Sequence, residues 1–129
     1  MKKFIIFIFL CISFSSTKVF AMTLAECNII SSTLNADFPL KIDAKTTVMS
    51  SVCLNKKRYI YLRYLMRLEV NNSKISQDYL KLMKSYQLNF WCTEPEQLKL
   101  LKLLGINYSY VNLKGEFMGE TIFTIKDCP

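Results

Sequence analysis

The sequence predicts an α+β domain: a four-stranded antiparallel sheet packed on helices, in the order α-β-β-α-α-β-β, with two disulfides. Three observations carry that prediction. Residues 59–70 alternate between an apolar set (Ile60, Leu62, Tyr64, Met66, Leu68, Val70) and a mixed set (Tyr59, Tyr61, Arg63, Leu65, Arg67, Glu69), the period of a strand covered on one side. Segments on either side carry apolar residues at helical spacing behind capping signatures. Four cysteines lie in a short stretch that reads as exported.

The first helix is expected over about 24–34. Thr23 with Glu26 three residues later makes a capping box, and Leu24, Cys27, Ile30 and Leu34 follow at helical spacing. Pro39 cannot continue it. Residues 46–54, rich in β-branched and short side chains, read as a strand. The polar run Asn55-Lys56-Lys57-Arg58 reads as a hairpin turn into the alternating strand 59–70. Asn71-Asn72-Ser73 ends that strand, and Ser76 caps a helix over about 77–90 with Asp78 in its first turn. Leu80, Met83, Tyr86 or Gln87, and Phe90 give it an apolar stripe.

Thr93 with Glu96 suggests a second capping box, with Pro95 in the first turn, Leu98, Leu101 and Leu104 inward, and Gly105 as the stop. Strands 106–111 and 117–126 close the domain through a hairpin at Asn112-Leu113-Lys114-Gly115, with Gly119 marking a bulge.

The N-terminus has another character. Lys2 and Lys3 precede the apolar run Phe4–Ile12, then a polar stretch and Val19-Phe20-Ala21. This is the pattern of a cleavable signal peptide over residues 1–21, leaving residues 22–129 as a single disulfide-stabilised domain. Retention as an anchor is the rival reading, but nine apolar residues are about half the ~20 that span a bilayer. A lipoprotein built on Cys11 is a further alternative, although Phe9-Leu10 before it supplies no small residues. No later segment approaches spanning length, so no stable membrane insertion is expected after cleavage.

The full chain carries a formal charge of +7. Removing Lys2, Lys3 and Lys18 with the signal leaves fourteen basic against ten acidic residues, or +4. That is mildly basic, and no nucleic-acid partner is expected. An electrostatic preference for anionic partners stays open. Cleavage also removes Cys11, leaving Cys27, Cys53, Cys92 and Cys128. Four cysteines allow three pairings. The preferred one is Cys27–Cys53 with Cys92–Cys128, because Cys128 would tie down a terminal strand that otherwise frays. No C-x-x-C spacing supports a redox role.

Several chemistries lack their residues. With no histidine, Ser–His–Asp and Cys–His sites are excluded, along with the commonest metal ligand. Gly105, Gly115 and Gly119 are too scattered for a phosphate loop. Glu94 and Glu96 are explained as partners of a helix dipole. Catalytic, cofactor-binding and metal-binding residues are therefore expected to be none. The aromatics are the remaining lead: Tyr59, Tyr61, Tyr108 and Tyr110 on strands, with Trp91 beside them. Tyr59, Tyr61, Arg63 and Arg67 share the less apolar face of the long strand and are the candidate interface.

Over about residues 38–128 the chain resembles a group of small exported bacterial proteins. The resemblance rests on Pro39 with Asp43 and Thr46, Tyr59-Ile60-Tyr61-Leu62, Cys92-Thr93-Glu94-Pro95, Gly105 before Tyr108-Ser109-Tyr110, Gly115 and the terminal Cys128. It implies an exported accessory domain with a Cys92–Cys128 bridge; the Cys27 and Cys53 pair departs from the simplest version of that pattern.

The leading expectation is a non-enzymatic periplasmic binding or accessory protein. It would act through contact with an envelope or secreted protein, in an envelope or secretion assembly. The alternative is an inhibitor or immunity protein against an exported toxin or hydrolase. A small secreted enzyme or effector is the third class, and release beyond the envelope is the alternative location.

Overall fold

The computed structural model describes residues 22–57 and 59–129. The signal-peptide reading of residues 1–21, and with it Cys11, lies outside the described residues. In chain order the elements are α1 (Leu24–Asn35), β1 (Leu40–Asp43), β2 (Thr46–Lys56), β3 (Tyr59–Leu68), α2 (Gln77–Thr93), α3 (Pro95–Leu101), β4 (Gly105–Val111), β5 (Phe117–Phe123) and a 3₁₀ turn (Ile125–Asp127).

The domain is α+β, but its sheet is five-stranded and mixed, in the order β1-β2-β3-β4-β5. This corrects the expected four-stranded antiparallel sheet twice. β1 is an added edge strand, pairing Leu40 with Val48 and Lys41 with Thr47. β3 and β4 run parallel, Tyr61 opposite Gly105 through Arg67 opposite Val111. The physical reason is that period-two alternation reports how many faces are covered, not strand direction. Two helices lie between β3 and β4, so the connection is long enough for the crossover that parallel neighbours require. The other neighbours are antiparallel.

β3 keeps strict alternation, with Ile60, Leu62, Tyr64, Met66 and Leu68 buried and the residues between half-buried. Its partner β2 does not. Val48 pairs with Met66 but Ser50 with Leu65, so Met49 is an extra residue. Residues 48 and 53 differ by an odd number and would point to opposite faces of an unbulged strand. The bulge brings Val48, Ser51 and Cys53 onto the face that carries Leu62 and Tyr64.

That face receives α1. Its capping box forms as expected, Glu26 N–H donating to Thr23 Oγ1 at 3.2 Å and Thr23 N–H to Glu26 Oε1 at 3.0 Å. Cys27, Ile30, Ser31 and Leu34 are buried. Asn35 clamps β2, accepting from Ser51 N–H at 2.6 Å and donating to Ser51 C=O at 3.0 Å, while Ser31 Oγ donates to the same carbonyl at 2.9 Å. Cys27 is bonded to Cys53.

α2 packs on the same face further along. It runs to Thr93, past the expected end at 90, because Trp91 is a fully buried core residue whose Nε1–H donates to Tyr108 Oη at 2.8 Å. The capping box expected at Thr93 does not form. Thr93 is still helical, and its Oγ1 donates to the Asn89 carbonyl at 2.6 Å, so Glu94 is the cap of α3, with Pro95 behind it. Gly105 is not a helix stop but the first residue of β4. A Cβ there would lie 2.5 Å from two ring atoms of Tyr61.

β5 ends at Phe123 rather than 126, where Thr124 and Asp127 cap a 3₁₀ turn. That turn carries Cys128 to Cys92. Gly115 takes φ 80° in the β4–β5 loop, and the register shift opposite Tyr110 and Val111 lies beside Gly119. Asn112, fully buried, organises the loop. Its Oδ1 accepts from the N–H groups of Lys114 (2.9 Å) and Glu116 (3.0 Å), and its Nδ2 donates to the Asn72 carbonyl (3.0 Å).

The core lies between this one face and the helices, centred on Leu62, Tyr64, Ile106, Tyr110, Phe123 and Trp91. No helix among the described residues is long and apolar enough to cross a membrane.

Candidate functional site

A cavity of about 340 Å³ opens between the edge strand β1 and helix α2. Leu40 and Ile42 of β1 form one wall, and Tyr86, Gln87 and Phe90 of α2 the other. Val48, Tyr64, Met66 and Tyr108 form the floor. Each wall follows from local chain behaviour. β1 has a sheet neighbour on one side only, so its side chains border open space. α2 turns Leu80 and Trp91 to the core, and a second stripe of Tyr79, Leu82 and Tyr86 at i, i+3, i+7 faces outward. Tyr86 is 71 % exposed and Ile42 42 %. Apolar side chains at that exposure, flanking an apolar cleft, make this the candidate interaction site.

The floor is rigid. Tyr64 and Tyr108 stack with ring centroids 5.3 Å apart, and Phe38 meets Tyr64 edge-on at 6.5 Å. Tyr108 is fixed from below by the Trp91 hydrogen bond. The one amide in the lining is also occupied: Gln87 donates to Tyr110 Oη and accepts from Thr121 Oγ1 at 2.8 Å, tying α2 to β4 and β5.

Electrostatically the groove is neutral. Its lining holds no carboxylate, amine or thiol. Burial pushes the Tyr64 and Tyr108 phenols above the ordinary phenol range; for Tyr64 the neighbouring Tyr108 adds to this, and for Tyr108 the bond from Trp91 partly offsets it. Both therefore stay uncharged across the physiological range. The cleft is apolar and concave, and its lining holds no carboxylate, amine, imidazole or thiol.

The residues expected to form an interface lie on the opposite face of the sheet. Tyr59 and Tyr61 sit together at one end of β3, ring centroids 5.1 Å apart. Arg63 Nε donates to Asn107 Oδ1 at 2.7 Å, and Asn107 Nδ2 donates to Glu120 at 3.0 Å, so that arginine is held flat on the sheet. Arg67 stands six residues beyond Tyr61, about 20 Å along the strand. Its Nε is buried with no hydrogen-bond partner among the described residues. The four residues thus share a face without converging on one point. Of the other aromatic leads, Trp91 and Tyr110 are fully buried core residues and Tyr108 is groove floor.

The groove itself escaped the sequence reading. Its one available signal was the stripe Tyr79-Leu82-Tyr86, an apolar set that leaves Gln87 rather than Tyr86 on the core side.

No family model and no curated protein matches the sequence. Solved structures do match the fold. The pilotin of the Vibrio vulnificus type 2 secretion system superposes with a TM-score of 0.63 at 14 % identity, over 82 % of this chain and 91 % of that one. A Pseudomonas aeruginosa protein described as secreted gives 0.68 at 13 % identity, over 82 % and 92 %. The Vibrio cholerae type II secretion system pilotin gives 0.57 at 15 % identity, over 81 % and 91 %. At these identities the likeness is one of fold.

Proposed function

We propose that this protein is an exported, non-enzymatic accessory protein of an envelope secretion assembly, and that it holds an apolar segment of a partner subunit in the groove between β1 and α2. The observation that carries the reading is the groove: a stacked aromatic floor, exposed apolar walls at Ile42 and Tyr86, and no charged group in its lining. The fold shared with two secretion-system pilotins and a secreted protein supports the setting. The two disulfides support an oxidising compartment, and a signal peptide over residues 1–21 supplies the route there. On this reading the periplasm is the working location and the signal is absent from the working protein.

A double variant, Ile42→Asp with Tyr86→Asp, tests it. Both positions are exposed, so stability should stay within about 0.5 kcal/mol of the parent. Co-purification with a subunit of the assembly should fall by roughly tenfold or more, the scale of ~1.4 kcal/mol in binding, and export through the assembly should fall with it. Unchanged co-purification and export in a folded double variant would remove the groove from the function.

A further inference from the structure

On the face of the sheet away from the helices, a second and larger concavity of about 650 Å³ has a different chemistry. Lys56 at the end of β2 and Lys57 in the turn after it line the concavity, with Lys102 from the α3–β4 link and Lys126 from the 3₁₀ turn. Tyr59 and Tyr61 lie among them. Four lysines from three separate parts of the chain thus line it, with no carboxylate in the lining.

None of the four lysines has an ion-pair partner among the described residues. Asp127, beside Lys126 in sequence, is engaged elsewhere: it accepts from Thr124 N–H at 2.9 Å and pairs with Lys84 at 4.0 Å. Like charges gathered without counter-charge repel one another, and that repulsion is relieved when an anion enters. Lys57 is placed by its turn. It sits at φ 51°, the left-handed conformation that the first position of a two-residue hairpin loop between Lys56 and Tyr59 calls for.

The floor narrows the anion. The Tyr59 and Tyr61 rings offer flat apolar surface with hydroxyls at its edge, and burial of Tyr59, reinforced by Tyr61, keeps its phenol protonated and able to donate. The Asn107 amide is already occupied by Arg63 and Glu120, so the lysines and phenols do the holding. Beneath the lysine turn the β2 and β3 backbones pair with each other, Lys56 opposite Tyr59 and Leu54 opposite Tyr61. An acidic peptide would find little main chain there to pair with. A compact group of high charge seated on an apolar base fits better, and lysine serves phosphate well as a mobile point charge with three donors.

We infer that this pocket binds a phosphate ester, its phosphate held by Lys56, Lys57, Lys102 and Lys126 and its organic part laid on Tyr59 and Tyr61. The shared chemistry admits two sources, a phospholipid headgroup or a soluble phosphoester. The inference is independent of the groove on the other face.

The test compares the purified protein with two double variants of equal charge. Lys57→Gln/Lys126→Gln alters the pocket, and Lys45→Gln/Lys81→Gln alters exposed lysines outside it. Each is titrated with phosphatidylglycerol vesicles, with phosphatidylcholine vesicles, and with glycerol 3-phosphate. Binding to the first alone assigns the lipid headgroup, and binding to glycerol 3-phosphate assigns the soluble ester. In either case the pocket variant should lose about tenfold in affinity and the control less than about twofold. Equal losses in the two variants would reduce the effect to net charge and overturn the inference. So would binding to none of the three, or displacement of the phosphate ligand by a glutamate-rich peptide at lower concentration than by glycerol 3-phosphate. Circular dichroism of both variants confirms that the fold is kept.

Discussion

Raising the pH above 10 should destabilise this protein through its buried phenols. Burial raises Tyr64, Tyr108 and Tyr110 above the ordinary phenol value of 10.0; hydrogen bonds from Trp91 to Tyr108 and from Gln87 to Tyr110 offset part of the rise. In the unfolded chain the same phenols ionise near 10. Between the unfolded and the folded values the native state holds more protons than the unfolded state, so stability falls as pH rises. The contribution is intact below pH 10 and is lost above it. One pH unit past an unfolded pKa of ~10 removes about 1.4 kcal/mol for a phenol still protonated in the folded chain, so Tyr64 and Tyr108 together remove about 3 kcal/mol at pH 11, and Tyr110 acts in the same direction. That is a large share of the ~5–15 kcal/mol typical of a domain. Urea unfolding followed by Trp91 fluorescence at pH 8, 10 and 11 reads the loss. Phenolate absorbance reads the same event from the other side: Tyr64 and Tyr108 should remain protonated until the fluorescence change. Tyr108→Phe should lose about 1–3 kcal/mol at pH 8, because Trp91 Nε1–H is left buried without its acceptor, and its decline to pH 11 should be smaller by about 1.4 kcal/mol. A urea midpoint unchanged from pH 8 to 11, or all the phenols ionising while Trp91 fluorescence stays native, would refute the reasoning.

Two further outcomes follow from the packing. Reducing the bridges should be costly: with sequence separations of 26 and 36, the chain-entropy model gives about 3.5 kcal/mol for Cys27–Cys53 and about 3.8 kcal/mol for Cys92–Cys128. Alanine pairs at each bridge, compared by urea unfolding, check the values, and a loss below about 1 kcal/mol would show the bridge is not constraining the unfolded chain. Gly105→Ala places a Cβ 2.5 Å from the Tyr61 ring and should cost about 1–3 kcal/mol. Tyr61→Ala in the same chain should recover most of it in a double-mutant cycle, and strict additivity of the two changes would show that the rings do not meet.

Helix α1 and strand β3 were legible because each signal is local: a capping box with apolar residues at helical spacing, and an uninterrupted alternation. The cysteine pairing was arguable from count and position alone. What stayed hidden was set by contacts distant in sequence. β1 is four residues long and exists because Leu40 and Lys41 find Val48 and Thr47 across a two-residue turn. Its composition carries little strand preference of its own. The bulge at Met49 leaves no mark in the sequence, yet it decides that Cys53 can reach Cys27. The parallel pairing of β3 with β4 depends on where two intervening helices lie.

The groove combines these blind spots. Its walls come from residues 40–42 and 86–90, one on the unforeseen strand and the other on the side of α2 turned away from the core. The aromatic candidates failed individually for a related reason. A tyrosine or tryptophan on a strand or helix signals burial and interface alike, and only the packing tells Trp91 from Tyr86.

The central claim is that the groove between β1 and α2 receives a subunit of a secretion assembly. A photo-cross-linking residue placed at Tyr86 in cells that make the protein natively tests it most directly, with the same residue at Val52, 50 % exposed on the opposite face, as control. The account predicts one dominant adduct from position 86, to a subunit of such an assembly, that is absent from position 52. Equal adducts from both positions, or a dominant partner at 86 outside any secretion assembly, would contradict it.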